Sequence, residues 1–287
     1  MTKRQDKRIK IIGWLLFFLA IGFFCLQMGY LFIHQRFQVE YIDDRIFYII
    51  NIICVLCLSL GILFLLTLTK KWKLAVASIV ILFIIINSVL LVIGNSKIKN
   101  VTSISPDFKH VLAIKQNTKT GEAVYYRNYY GILALPKETL PYKTDGEFKV
   151  EWLANDVAVV TYKATDKTIH QFIGTYGDRG GGLSYYYVGA EIQGAWKSED
   201  IELISSPDGI SVTQNGQTET FDWDQIVQFG TLAIVLTENN QAKWTISLNE
   251  DFTIDSSSAT SPSGGISVYR ATMDENKPFV LTYDGAN

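Results

Sequence analysis

Three stretches without a single charged side chain decide most of what this chain can become. Residues 11–33, 46–69 and 74–94 run for 23, 24 and 21 residues with no Asp, Glu, Lys or Arg. At about 1.5 Å of rise per residue each would reach roughly 30 Å as a helix, the thickness of a bilayer's hydrocarbon core. A membrane domain of three transmembrane helices is therefore expected over residues 1–94. A secretory signal peptide competes for the first stretch, because Lys3, Arg4, Lys7, Arg8 and Lys10 form a basic leader. Signal cores are shorter, about 7 to 15 residues, and end in small side chains. This one ends in Tyr30-Leu31-Phe32-Ile33, so an uncleaved helix is expected.

The overall charge of -2 is a cancellation. Residues 1–94 hold 10 of the 26 basic and 4 of the 28 acidic side chains, a balance of +6, which leaves -8 for residues 95–287. Basic residues gather in the N-terminal tail and in Lys70-Lys71-Trp72-Lys73, whereas the connection around residues 34–45 sets Arg36 and Arg45 beside Glu40, Asp43 and Asp44. By the positive-inside rule the N-terminus is cytoplasmic and residues 95–287 form an extracytoplasmic domain. Trp14, Tyr30, Tyr41, Phe47 and Trp72 fall near the expected membrane interfaces.

No ionisable acid or base lies within the three spans, which argues against ion transport by these helices alone. Their polar residues, Gln27, Asn51, Ser59, Ser78, Asn87 and Ser88, are expected to hydrogen-bond among the three helices, with bonding to a partner protein as the alternative. Gly22 and Gly29 share a face and are expected to permit close helix contact. Cys54-Val55-Leu56-Cys57 has the spacing of a redox motif, but in an apolar span such thiols stay protonated and pack as small hydrophobes.

After Gly94 the pattern changes to period-two alternation rich in Val, Ile, Thr, Tyr and Phe, the mark of strands. Three hairpins are expected. Residues 110–114 lead through Asn117 and Gly121 to residues 123–126, residues 157–162 through Asp166-Lys167 to residues 169–172, and residues 232–236 through Glu238-Asn239-Asn240 to residues 244–248. Further turns are marked by Asp145-Gly146, Pro207-Asp208-Gly209, Asn215-Gly216, Ser261-Pro262-Ser263-Gly264-Gly265 and Asp284-Gly285, with a short helical turn expected near residues 222–228. Residues 105–112 resemble the strand openings of β-propeller repeats. The hairpins start near His110, Val157 and Leu232, however, 47 and 75 residues apart, without a fixed period. An all-β domain over residues 95–287 is expected, an antiparallel sandwich first and a small propeller-like arrangement as the alternative.

The residue types needed for catalysis do not assemble into a recognisable set. Beyond Gly94 only His110 and His170 offer an imidazole, both in strand-like segments and without a G-x-S-x-G elbow. Asp222-Trp223-Asp224 and Glu199-Asp200 supply oxygens suited to calcium, but short acidic pairs of this kind are ordinarily solvated loops. No catalytic residue, metal or cofactor is expected. The most unusual segment is residues 175–187, where Tyr176, Asp178, Arg179, Tyr185, Tyr186 and Tyr187 surround a run of glycines. Glycines that free the backbone to bend sharply and present N–H groups, one guanidinium and rigid amphipathic rings suit an interaction surface, and a glycine-rich connection into a tyrosine-rich strand is the plainer reading. Tyr125, Tyr126, Tyr129 and Tyr130 form a second aromatic cluster open to the same two readings.

The domain after Gly94 has no cysteine and so no disulfide, which suits a bacterial envelope, Gram-positive in type. The function expected is that of a multi-pass membrane protein, not an enzyme, whose outer β domain binds, senses or protects at the cell envelope. An accessory subunit of a transporter or secretion complex and an envelope enzyme using acidic residues are the alternatives. The lipid bilayer and a membrane or envelope protein are the partners expected, and nucleic acid is not.

Overall fold

The computed structural model describes residues 2–177, 187–254 and 261–285, with side chains from residue 7 onward. Three helices come first: α1 (Thr2–Phe37), α2 (Arg45–Leu65) and α3 (Lys70–Lys97), with the two-residue strand β1 (Glu40–Tyr41) between α1 and α2. All three are long and apolar enough to cross a membrane. Lys97 passes directly into β2 (Ile98–Ile104), and β3 (Val111–Asn117), β4 (Ala123–Tyr130) and β5 (Leu133–Thr139) follow. These strands form a five-stranded sheet in the order β1-β5-β4-β3-β2.

The remaining strands form two sheets. β6 (Thr144–Ala154), β7 (Val157–Ala164) and β8 (Ile169–Thr175) make a three-stranded antiparallel meander. After the short helix α4 (Val188–Glu191) come β9 (Gly194–Lys197), β10 (Ile201–Ser206), β11 (Gly209–Gln214) and β12 (Gln217–Phe221). A 3-10 turn at Trp223–Gln225 leads to β13 (Ile226–Phe229), β14 (Ala233–Glu238), β15 (Gln241–Leu248), β16 (Gly265–Arg270) and β17 (Phe279–Gly285). Their order is β12-β11-β10-β9-β17-β16-β15-β14-β13, two meanders joined by antiparallel pairing of β17 with β9.

The sandwich expected from sequence becomes a barrel-like curl, and chain connectivity gives the reason. Nine strands at about 4.8 Å spacing would stretch roughly 38 Å if flat. The two edge strands, β12 and β13, are joined only by residues 222–225, and five extended Cα steps reach about 18 Å. The sheet must coil to bring its edges within that span. Its concave face buries Trp196, Leu203, Ile210, Ile234, Trp244, Ile246, Ile266, Val268 and Leu281 in one cluster.

The three-stranded sheet covers part of the outer face. Val157, Val159 and Ile173 pack there with Ala233, Val235, Ala242 and Tyr269. This explains why residues 157–160 and 233–236 read as unbroken apolar runs, since strands covered on both faces lose the alternation of half-exposed ones. β10, covered on one face, keeps it, with Ile201, Leu203 and Ser205 inward.

All three expected hairpins form, as β3–β4, β7–β8 and β14–β15. Asn215 and Gly216, at φ +52° and +76°, close β11–β12 in the left-handed region that a tight hairpin demands. Asp145-Gly146 marks an irregularity within β6 instead of a turn between strands. The helical turn expected near residues 222–228 is the 3-10 turn, closed by a capping box between Asp222 and Gln225. Asp222 is thereby committed to a backbone cap.

The chain divides into two compact units. One comprises Met1–Thr102, Ala113–Lys119 and Val124–Thr139, the other Ser103–Leu112, Thr120–Ala123 and Leu140–Asn287. The helices therefore share their unit with most of the five-stranded sheet. Within it α2 packs against both α1 and α3. The close approach of α1 and α2 lies at Gly13 and Gly61, where a Cβ on Gly61 would stand 3.2 Å from the Gly13 carbonyl oxygen and the Phe17 nitrogen. Gly22 and Gly29 do not have the expected role, since a Cβ on either meets nothing within 4 Å.

Candidate functional site

In the first unit the chemistry concentrates where α1 turns back into α2. The connection carries Glu40 on β1, Asp43 in the loop and Asp44 at the N-cap of α2. Into this acidic corner β3 projects Lys115, whose residue is only 5% exposed. Its ammonium lies 2.6 Å from Glu40 Oε2 and 2.5 Å from Asp44 Oδ1, and 4.8 Å from the centre of the Tyr126 ring. A lysine inside an apolar strand survives only if its charge is answered, and two carboxylates with an aromatic face answer it here.

Asp43 is held separately. Arg45 donates from Nε to both of its carboxyl oxygens, at 2.8 and 2.9 Å, and also from its backbone N–H at 2.9 Å. Burial alone would raise the Asp43 pKa, but these bonds hold it below the ordinary carboxylate value. Burial, reinforced by the neighbouring Glu40, pushes the Tyr126 phenol above its ordinary pKa. The Tyr41 phenol is pushed up to about 12 by burial. At neutral pH both phenols are therefore neutral and able to donate.

From Tyr41 a polar chain descends among the helices. Its hydroxyl donates to Gln27 Oε1 at 2.9 Å, and Gln27 Nε2 donates to the Phe47 carbonyl at 2.8 Å and to Asn51 Oδ1 at 2.9 Å. Asn51 Nδ2 reaches Asn87 Oδ1 at 3.4 Å, and Asn87 Nδ2 donates to the Phe83 carbonyl at 3.0 Å. Gln27, Asn51 and Asn87 thus bond to one another across all three helices, as expected from the sequence. Cys54 contacts the Ala20 carbonyl at 3.4 Å and Cys57 is buried, both as packing residues.

In the second unit an aromatic group surrounds His170. Tyr142 stacks on its ring with centroids 3.7 Å apart, and Tyr162 lies tilted at 5.7 Å. These three rings, with Pro141, Phe229, Thr237 and Asn240, line a cleft of about 210 Å³. Burial lowers the His170 pKa from its ordinary value, opposed in part by Asp166. Its Nε2 faces Thr168 Oγ1 at 2.7 Å, while the adjacent Gln171 is tied to Thr161 at 3.1 Å and Thr245 at 2.6 Å. The bonds of His170 and Gln171 thus hold one wall of an apolar recess. His110 stands before β3, stacked on Tyr176 at 4.9 Å.

The tyrosines singled out in the sequence part company. Tyr176 is a packing residue, sandwiched between His110 and Trp152, with its hydroxyl on the Val111 carbonyl at 3.1 Å. Tyr187 is 65% exposed at the entry to α4. Asp178, Arg179, Tyr185 and Tyr186 lie outside the described residues. In the second cluster Tyr125 and Tyr126 are buried, whereas Tyr129 and Tyr130 are exposed. Sequence reasoning missed Lys115 as a site residue. The one visible signal was a lysine following the apolar run Val111-Leu112-Ala113-Ile114.

Comparison with family models, with curated proteins and with solved structures finds no match to this chain.

Proposed function

We propose that this is an integral membrane protein whose three helices span the bilayer and whose β domain works on the extracytoplasmic side, where it binds or senses a molecule or protects against one. The observation that carries the reading is an inversion of the usual bundle. Only 11%, 17% and 6% of the apolar windows of the three helices are buried within the protein, so Phe18, Phe24, Leu82 and Ile86 face outward, while Gln27, Asn51 and Asn87 turn inward and satisfy one another. In water that arrangement would expose several apolar stripes at full cost; in lipid it is the stable one.

The distribution of Lys and Arg supports a cytoplasmic N-terminus, and the cysteine-free outer domain supports a Gram-positive type of envelope. Within the β domain, the recess lined by Tyr142, Tyr162 and His170 suits a small, flat, mostly apolar group with a polar edge for Asn240 or Thr237. Direct passage of α3 into β2 and the clamp of Lys115 on Glu40 and Asp44 favour a five-stranded sheet held in fixed geometry on its helices. The test is extraction and proteolysis in cells producing the full chain. Resistance of the chain to alkaline carbonate, with removal of its C-terminal part by protease added outside, supports the proposal. Release into the carbonate supernatant overturns it.

A further inference from the structure

The tip of the β4–β5 hairpin carries a surface that the binding reading does not use. Tyr130 is 80% exposed, Tyr129 54% and Ile132 40%, in a turn where polar side chains would be the usual choice. The turn is not loose. Asn128 Nδ2 donates to the Gly131 carbonyl at 2.7 Å, and Gly131 adopts φ +57°. The tip is also fastened to the α1–α2 connection, since Ile42 donates its N–H to the Ile132 carbonyl at 2.9 Å and β1 pairs with β5 through Glu40↔Ala134 and Tyr41↔Leu133.

That attachment fixes its level. Ile42 lies between the end of α1 at Phe37, itself 58% exposed, and the start of α2 at Arg45. If the helices span, this connection stands at the outer membrane interface, and the tip stands beside it. Residues 128–135 carry no charge, and the nearest ionised side chain along β4 is the cation Arg127. Exposed phenols, an aliphatic residue and a flanking cation are the composition found where protein meets lipid headgroups.

We infer that the β4–β5 tip rests in the headgroup layer of the bilayer, a lipid contact made by a β-turn in addition to the three helices, and one that fixes the tilt of the five-stranded sheet. The inference rests on the reading that the helices span. Its test uses the full chain with its cysteines replaced by alanine, reconstituted in nanodiscs of phosphatidylethanolamine and phosphatidylglycerol. An environment-sensitive fluorophore is placed on Tyr130→Cys, on Tyr129→Cys or, as the measure of insertion, on Phe24→Cys. Quenchers are carried near the lipid headgroups, at the acyl-chain ends, or in the water as iodide. The expected result is that both tip probes are quenched about two-fold or more by the headgroup-level quencher and are shielded from iodide, while the Phe24 probe responds to the acyl-chain quencher. Tip probes that answer only to iodide, with Phe24 quenched from the acyl chains, overturn the tip contact and leave the spanning helices intact. A Phe24 probe that no lipid quencher reaches overturns both.

Discussion

Lys115 is the residue on which most of the first unit's electrostatics turn. Two carboxylates within 2.6 Å balance it, but Glu40 and Asp44 keep 29% and 38% of their side-chain surface, so solvent takes up part of any change. Lys115→Met leaves two acids facing each other across a desolvated corner. The expected cost is about 2 kcal/mol, below the 3 to 5 of a fully buried pair, read as a lower melting temperature in detergent. Adding Glu40→Gln and Asp44→Asn should restore part of the loss. None of this was legible in the sequence, because the partners stand 75 and 71 residues away and no local spacing encodes such a meeting. His170 gives a second prediction. Its folded-state pKa lies below the unfolded one, so the unfolded chain binds more protons and stability falls as pH drops below about 6.5. Melting temperature followed from about pH 7.5 to about pH 5.5 should decline with a slope that His170→Gln reduces; an identical slope in the variant would contradict the assignment.

At the scale of elements, what could be read from sequence was local. Charge-free length found the helices, and turn chemistry found the Asn215-Gly216 turn, whose two left-handed residues close β11–β12. What escaped was non-local. Pairing of β17 with β9 brings together residues more than 80 apart, and it is this pairing that turns two meanders into one curled sheet. The helix crossing escaped for a related reason: two glycines on one helix suggest a close face, yet only a partner helix shows which face is used. Gly61→Leu is expected to force α1 and α2 apart and to cost roughly 1 to 3 kcal/mol of detergent-state stability. Gly22→Leu, with open space at its Cβ, should be nearly neutral. Equal effects of the two would place the crossing elsewhere.

For the whole molecule, the chain reads as three long apolar helices with polar groups turned inward, followed in sequence by antiparallel β structure. The near-neutral total charge hides that division, and the separate balances of +6 and -8 express it. The central claim is sidedness across a membrane. It is tested most directly by membrane-impermeant maleimide on intact cells, comparing Asp208→Cys, on the exposed β10–β11 turn, with Lys7→Cys before the first span. The account requires that Asp208→Cys be labelled in intact cells and Lys7→Cys only after the membrane is opened; labelling of Lys7→Cys alone in intact cells would contradict it.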